Sequence, residues 1–412
     1  IFQFSVLRAL AERGHQIVVY SYVPPPSSLE NITHVQLETH FLFANNIGSF
    51  KDFTKYFYMQ SYFGYVIKAI SDLMQPICEN FFKEGNIQDL INSKDTFDLV
   101  LTEVQLRESN AVFGHKFKAP IVNFQGSGQW IPSDWIVGNP LATAYIPDRL
   151  SFGFSNKMSF WERLRNSVST GLSLLYFHGS HLPRQQTVVE EYYKDPTTPH
   201  ISDLLKNVAL TLTNECKTLG YAKPYTPNVI PIGGAHISSH MTPIPEDIQN
   251  FMDKAKTGVI FFSLGSIVPV HMFPQEYINA FLNTFKRLSV NVLWKTDLEN
   301  STSLPDNLKI TKWIPQPTVL AHPHCQLFIT HGGLMSQIEV LHAGVPVVTI
   351  PFFGDQKFNA RVFDHLGVGV NLDFSTLSEE TLFNAITTVL SNSRYKENAV
   401  RVAEMLRDQP MS

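Results

Sequence analysis

Two short apolar runs, each ending in a polar turn that feeds the next segment, constrain this chain more than any other feature. From Trp313 to Gln356 the order is Trp313-Ile-Pro-Gln316, a run from Cys325 to Thr330, His331-Gly332-Gly333, Glu339, Gly344-Val-Pro346 and Gly354-Asp355-Gln356. The run ending at Thr330 is rich in β-formers, so it predicts a strand. The glycine pair after it lets the backbone turn tightly into a helix beginning near Leu334. A helix start exposes unpaired N–H groups and the positive end of its dipole, so the turn is an anion site, with phosphate the usual anion. His331 stands beside it as a further donor. Two turns on, the acceptor-only carboxylate of Glu339 suits a pair of vicinal hydroxyls such as those of a ribose. Trp313 offers a flat face for a base, with Gln316 adding polar reach. Residues 346–351 predict the next strand, and Asp355-Gln356 would grip a polyhydroxylated ring. Singly, such residues are usually a turn, a solvated carboxylate or a core tryptophan. In this order they form one binding constellation.

The pattern of Trp313, Pro315, Gln316, His331, Gly333, Glu339, Gly344, Pro346, Asp355 and Gln356 resembles the signature region of the UDP-glycosyltransferases, which include the UDP-glucuronosyltransferases. The resemblance implies that Trp313 stacks on uracil and that Gln316 and Glu339 bind ribose. It assigns His331, Gly332 and Gly333 to the diphosphate and Asp355 with Gln356 to the transferred sugar. Many members carry Asn where this chain has Met335, which leaves Ser336 and backbone groups to the phosphate. Ser266, in the turn after the run 258–266, resembles the family hydroxyl that touches the diphosphate.

The chain is 412 residues long, which fits two domains rather than one core. A βα alternation sustained from residue 258 onward argues for parallel sheet wrapped by helices. The expected fold is therefore α/β, and the resemblance implies two Rossmann-like doubly wound domains facing across a cleft (GT-B type). Residues 1–240 would form the acceptor-binding domain, 241–412 the UDP-sugar-binding domain, and the Ser-, Pro- and His-rich segment 236–245 the linker. Gly367-Val-Gly-Val-Asn lacks a third glycine and reads as a strand, not a dinucleotide fingerprint. Hydrophobic residues make up 44% and charged residues 17% of a chain with net charge −4, which gives no support to disorder or nucleic-acid binding. Three cysteines without CxxC and no Asp-x-Asp motif leave no metal and no cofactor expected beyond a UDP-sugar co-substrate.

Residues 1–13 have helical spacing with Gly14 as terminator, and 16–22 follow as a strand. A helix feeding a strand implies an earlier strand. Residues 10–15 resemble the end of the family's first helix, and that resemblance places the general-base histidine just upstream of Ile1. Residues 97–101 predict a buried strand ending at Thr102-Glu103, and a carboxylate at that end of a parallel strand faces the crevice. By resemblance Glu103 stands where the family has the aspartate partner of the base, with Glu108 as rival.

The resemblance implies inverting transfer of a hexosyl or glucuronosyl group to a hydroxyl of a small lipophilic acceptor, a detoxification-type conjugation. It also implies a chain on the lumenal face of the endoplasmic reticulum, held by a C-terminal membrane anchor that lies outside this sequence. Two sequons, at Asn31 and Asn300, are compatible with that side of the membrane. Two other readings stand: a UDP-sugar-binding fragment without turnover, since the base is absent from these residues, or a nucleotide-sugar epimerase or hydrolase of the same architecture.

Overall fold

The computed structural model describes residues 2–24, 30–38, 50, 65–150, 152–217, 219–237, 241–298 and 304–408. Residues 25–28, the Asn300 sequon, residues 51–64 of the aromatic-rich stretch expected over 50–82, and the last four residues lie outside that set.

The C-terminal half is built on a six-stranded parallel sheet. Its strands are β7 (Val259–Ser263), β8 (Asn291–Lys295), β9 (Leu308–Thr311), β10 (Cys325–Thr330), β11 (Val347–Thr349) and β12 (Gly369–Asn371), in spatial order β12-β11-β10-β7-β8-β9. This is the doubly wound order, and it reverses between β7 and β10, where ligands of such sheets bind at the strands' carboxyl ends. The strands read as apolar runs because both faces are covered. Phe261 and Phe262 point to opposite faces: Phe261 stacks on Phe328 at 4.9 Å, and Phe262 on Trp294 at 5.0 Å. One layer closes with Phe281, Phe285, Leu382 and Ile386, the other with Val340, Leu341, Phe363 and Val402.

The N-terminal half holds a parallel pair, β1 (Ile17–Ser21) with β2 (Ile32–Gln36). Beside it is a four-stranded parallel sheet in order β3 (Val100–Thr102), β4 (Ile121–Gln125), β5 (Val208–Thr213), β6 (Val229–Pro231). The predicted first helix spans Phe2–Glu12, and Gly14 ends it at φ 90°. β1 and β3 are not paired with each other; Val18 and Tyr20 line a slot with residues 94–97. A long helix, Phe160–Tyr176, starts with a full capping box between Ser159 and Glu162, then passes through π-helical turns at Phe177–His181 and Val189–Tyr193. Among the described residues no helix is long and apolar enough to cross a membrane. All three cysteines are free and buried. The amide of Asn31 is engaged: its Nδ2 donates to the Ala11 carbonyl at 2.9 Å and its Oδ1 accepts from Gln16 at 2.8 Å.

Candidate active site

β10 ends at Thr330, and Gly332 then adopts φ 82°, a conformation that favours glycine. The turn delivers the chain to Gly333, the N-cap of the helix Leu334–Ala343, which begins where the sequence places it. No side chain caps this helix, so its first-turn N–H groups remain for a ligand. Across the reversal point, β7 runs into Gly265 at φ 80° and the exposed Ser266. The two glycine turns hold His331 between them. A methyl at Gly265 would lie 2.7 Å from the imidazole Cε1, and one at Gly333 would lie 2.5 Å from Nε2. Gly333→Ala must therefore push a ring that has Gly265 behind it. The expected loss is about 1–3 kcal/mol of stability, read as a lower denaturant midpoint.

Burial, and secondarily Lys295, pushes the His331 imidazole down to about 4, so the ring is neutral at physiological pH and donates through one nitrogen. The folded value lies below the unfolded one. Stability from this group is thus complete above about pH 6.5 and is lost as pH falls through 4. An NMR titration of the His331 ring is expected to show no inflection between pH 6 and 8.

Gln316 ties the tryptophan loop to the helix. Its Nε2 donates to Ser336 Oγ at 2.9 Å and to Glu339 Oε2 at 2.6 Å, fixing the carboxylate at the mouth of the turn. Trp313, three residues earlier, is 62% exposed, an uncovered platform rather than a core residue. Ser336 is buried and accepts from Gln316, with its own proton left to donate. On the other side, Asn359 Nδ2 donates at 2.9 Å both to the Gly332 carbonyl and to Asp355 Oδ2. Asp355 thus hangs on the phosphate turn itself. Burial pushes its carboxyl above the usual carboxylate range, against the pull of Arg149 and Asn359. Gln356 departs from expectation: its Oε1 accepts from the backbone N–H of Phe352 and Phe353, at 2.8 and 3.2 Å. The carbonyl end therefore shapes the loop, and only the amide nitrogen remains to reach a sugar.

Two site residues escape the sequence reading. Lys295, at the carboxyl end of β8, donates to the Gly265 carbonyl at 3.4 Å; burial lowers its basicity, partly offset by Glu339 and Asp297. Its signal was a lysine ending an apolar strand. His236, expected in a linker, is buried with Nε2 3.3 Å from Glu339 Oε1, within ion-pair range but without hydrogen-bond geometry. No local pattern marks it.

In the N-terminal half, Glu103 follows β3 directly. Burial raises its carboxyl, opposed by Arg107 and by a hydrogen bond from the Gly126 N–H. The Gly126 carbonyl accepts from Asn214, whose Nδ2 also meets Met335 Sδ at 3.0 Å, so the surroundings of Glu103 adjoin the start of the phosphate-turn helix. Glu108 is placed elsewhere. Its Oε2 lies 2.6 Å from His181 Nε2, whose Nδ1 is 2.6 Å from Ser71 Oγ, and the three residues are 1%, 0% and 0% exposed. This serine–histidine–glutamate row is sealed in the core between helices. Glu108 cannot serve as partner to a base in the cleft, because its carboxylate is turned inward and engaged.

Two parallel α/β halves, with the donor constellation at the reversal point of one and Glu103 at the strand ends of the other, have the architecture of a GT-B glycosyltransferase. Solved structures with this fold include the glycotransferase of kitacinnamycin, with TM-score 0.62 at 17% identity, covering 98% of this chain and 90% of that one. UDP-glucose: anthocyanidin 3-O-glucosyltransferase in complex with UDP is similar, with TM-score 0.60 at 15% identity, covering 98% and 91%.

The chain belongs to the UDP-glucoronosyl and UDP-glucosyl transferase family, whose model matches residues 3–412. It is 32% identical over 411 residues to the UDP-glycosyltransferase UGT5 of Dactylopius coccus, covering 99% of this chain and 77% of that one. It is also 28% identical over 424 residues to UDP-glucuronosyltransferase 2B14 of Oryctolagus cuniculus, covering 98% and 78%. It is thus an enzyme of UDP-sugar glycosyl transfer.

Proposed function

We propose that this transferase moves a hexosyl or glucuronosyl group, with inversion at the anomeric carbon, onto a hydroxyl of a small lipophilic acceptor. The observation that carries the reading is the closed set of bonds around the glycine turn: Gln316 to Ser336 and Glu339 on one side, Asn359 to Gly332 and Asp355 on the other. It supports a reading in which base, ribose, diphosphate and sugar are held in turn around that glycine turn. Residues 241–412 would bind the donor and residues 1–240 the acceptor. The helix-start N–H groups, His331, Lys295, Ser266 and Ser336 would stabilise the UDP leaving group. No metal is required for this reading, and no cofactor beyond the UDP-sugar.

Glu103 would orient the histidine that serves as general base. The base takes the acceptor hydroxyl's proton as the oxygen attacks the anomeric carbon and the bond to UDP breaks. In residues 1–412 the groups acting on Glu103 include the Gly126 N–H and Arg107. The wider placement, a detoxification-type conjugating enzyme on the lumenal face of the endoplasmic reticulum membrane with a C-terminal anchor, is part of the same proposal. Protease protection in sealed microsomes tests that location.

Incubating the full-length protein with UDP-glucose or UDP-glucuronate and a phenol, then assigning the product anomer by NMR, tests the chemistry. A β-linked conjugate is expected from the α-linked donor. An α-linked product would overturn inversion, and free sugar formed at the same rate without the phenol would indicate a hydrolase.

A further inference from the structure

The helix Gln356–Leu366 has Asp355 as its N-cap and Asn359 one turn in, and the N-terminal half packs along it. Arg149, in the loop between the helices Ile131–Val137 and Phe160–Tyr176, places its guanidinium 4.6 Å from the centre of the Phe358 ring. The Gly153 carbonyl accepts from Arg361 Nε at 3.3 Å, and the Tyr221 ring meets Phe358 and His365 at 5.5 and 5.4 Å. One helix therefore carries both a donor-site carboxylate and a main contact between the halves.

Arg149 reaches that helix from a fixed position. Its Nη2 is paired with Glu215 Oε1, and the two side chains are only 11% and 10% exposed. Glu215, just after β5, is held in turn: its Oε2 accepts from Tyr225 Oη at 2.8 Å and from the Gln129 N–H at 3.1 Å. Gly128 packs closely on the pair, because a methyl there would lie 3.0 Å from Glu215 Cγ and 3.1 Å from Arg149 Cζ. From this anchorage Nη1 donates to Asn359 Oδ1 at 3.4 Å, a long bond strengthened by the charge of its donor.

Asn359 is fully buried, so both ends of its amide need partners. Nδ2 spends its protons on the Gly332 carbonyl and Asp355 Oδ2, both acceptors, and Oδ1 takes its donor from Arg149. Take the guanidinium away and a buried oxygen is stranded on the side chain that fixes the Asp355 carboxylate. The cation acts on Asp355 directly as well. Burial pushes that carboxyl up, and Arg149 opposes the rise, favouring the ionised form that accepts from sugar hydroxyls.

We propose that Arg149 is a positioning residue for the transferred sugar: reaching from the N-terminal half, it holds Asn359, and through it Asp355, in the geometry that grips the sugar. The inference rests on the assignment of Asp355 to the sugar. It makes the sugar subsite complete only when the two halves are docked. The phosphate turn depends on Arg149 less, since Thr330 Oγ1 separately accepts from the Gly332 N–H at 3.3 Å.

The test is calorimetry on the full-length protein without acceptor, comparing UDP with the UDP-sugar that the enzyme turns over. Arg149→Lys keeps a charge beside Glu215 but lacks the planar fork that spans Glu215 and Asn359. It should weaken the UDP-sugar about fivefold to tenfold while leaving UDP within about twofold of wild type. A double variant, Arg149→Met with Glu215→Gln, removes the buried pair together and strands neither charge, and it should show the same selective loss. Asp355→Asn should show it too. Both ligands unchanged in the two Arg149 variants, or both weakened by one common factor, overturns the inference; the common factor would mark a residue that only holds the halves together. A selective loss in Asp355→Asn alone refutes the role of Arg149 and spares the sugar assignment. No selective loss in Asp355→Asn ends that assignment, and the inference with it.

Discussion

Glu103→Gln should lower the turnover of the full-length enzyme about 10²–10⁴-fold, the span associated with a positioned acid–base group, while leaving UDP affinity within a factor of two or so of wild type. The amide keeps the shape of the side chain and its contact with the Gly126 N–H, but it cannot stabilise a positive charge on a neighbouring imidazole. Stability should move the other way. Burial raises the Glu103 carboxyl, so folding favours its protonated form, and that contribution is lost as pH rises through the folded value. The neutral glutamine carries no such loss, so the variant's melting temperature should gain on that of wild type as pH rises. Glu108→Gln provides the contrast: its carboxylate is locked against His181, so the variant should lose stability first and turnover only as folding fails. Turnover unchanged in Glu103→Gln would remove it from the mechanism.

Glu339→Ala should weaken UDP binding about tenfold to a hundredfold, from the roughly 1.5–3 kcal/mol of hydrogen bonds made by a charged acceptor. The sharper measurement uses 2′-deoxy-UDP. Wild type should bind it more weakly than UDP, whereas Glu339→Ala should bind the two alike, because the carboxylate that senses the hydroxyl is gone. A structural glutamate would instead weaken both ligands and keep their ratio. Gln316 donates to the same carboxylate at 2.6 Å, so Gln316→Ala is expected to reproduce part of the effect.

Much of the donor half could be read from residues alone, for identifiable physical reasons. β10 spans the expected residues and the helix after it begins where expected, because an all-buried strand must be apolar throughout and a glycine-rich turn joins it tightly to a helix. Gly369–Asn371 is a strand, as the missing third glycine implied. Other features had no local signal. β2 is short and its apolar residues, Ile32 and Val35, do not alternate, so its partner β1 supplies the reason it is a strand. The π-helical turns at Phe177 and Val189 add a residue without disturbing a helical apolar pattern, so periodicity passes over them. His236 looked like part of a linker because its neighbours are serine and proline, and only the docking of the halves brings it to Glu339. Gln356 was legible as a polar residue at the right turn, but not the commitment of its carbonyl to the loop backbone.

The sealed row of Ser71, His181 and Glu108 has a consequence for how this lineage can drift. His181 is satisfied by Ser71 and by Glu108 Oε2, from segments far apart in the chain, and Glu108 Oε1 also accepts from the Leu106 N–H at 3.1 Å. Losing one strands its neighbours in a dry core, and exchanging all three for apolar residues would still leave the Leu106 N–H without its acceptor. The row therefore behaves as a single heritable character, held in place by the unfit intermediates on every one-step path away from it. A descendant that lost the histidine alone would be under immediate pressure to change the other two.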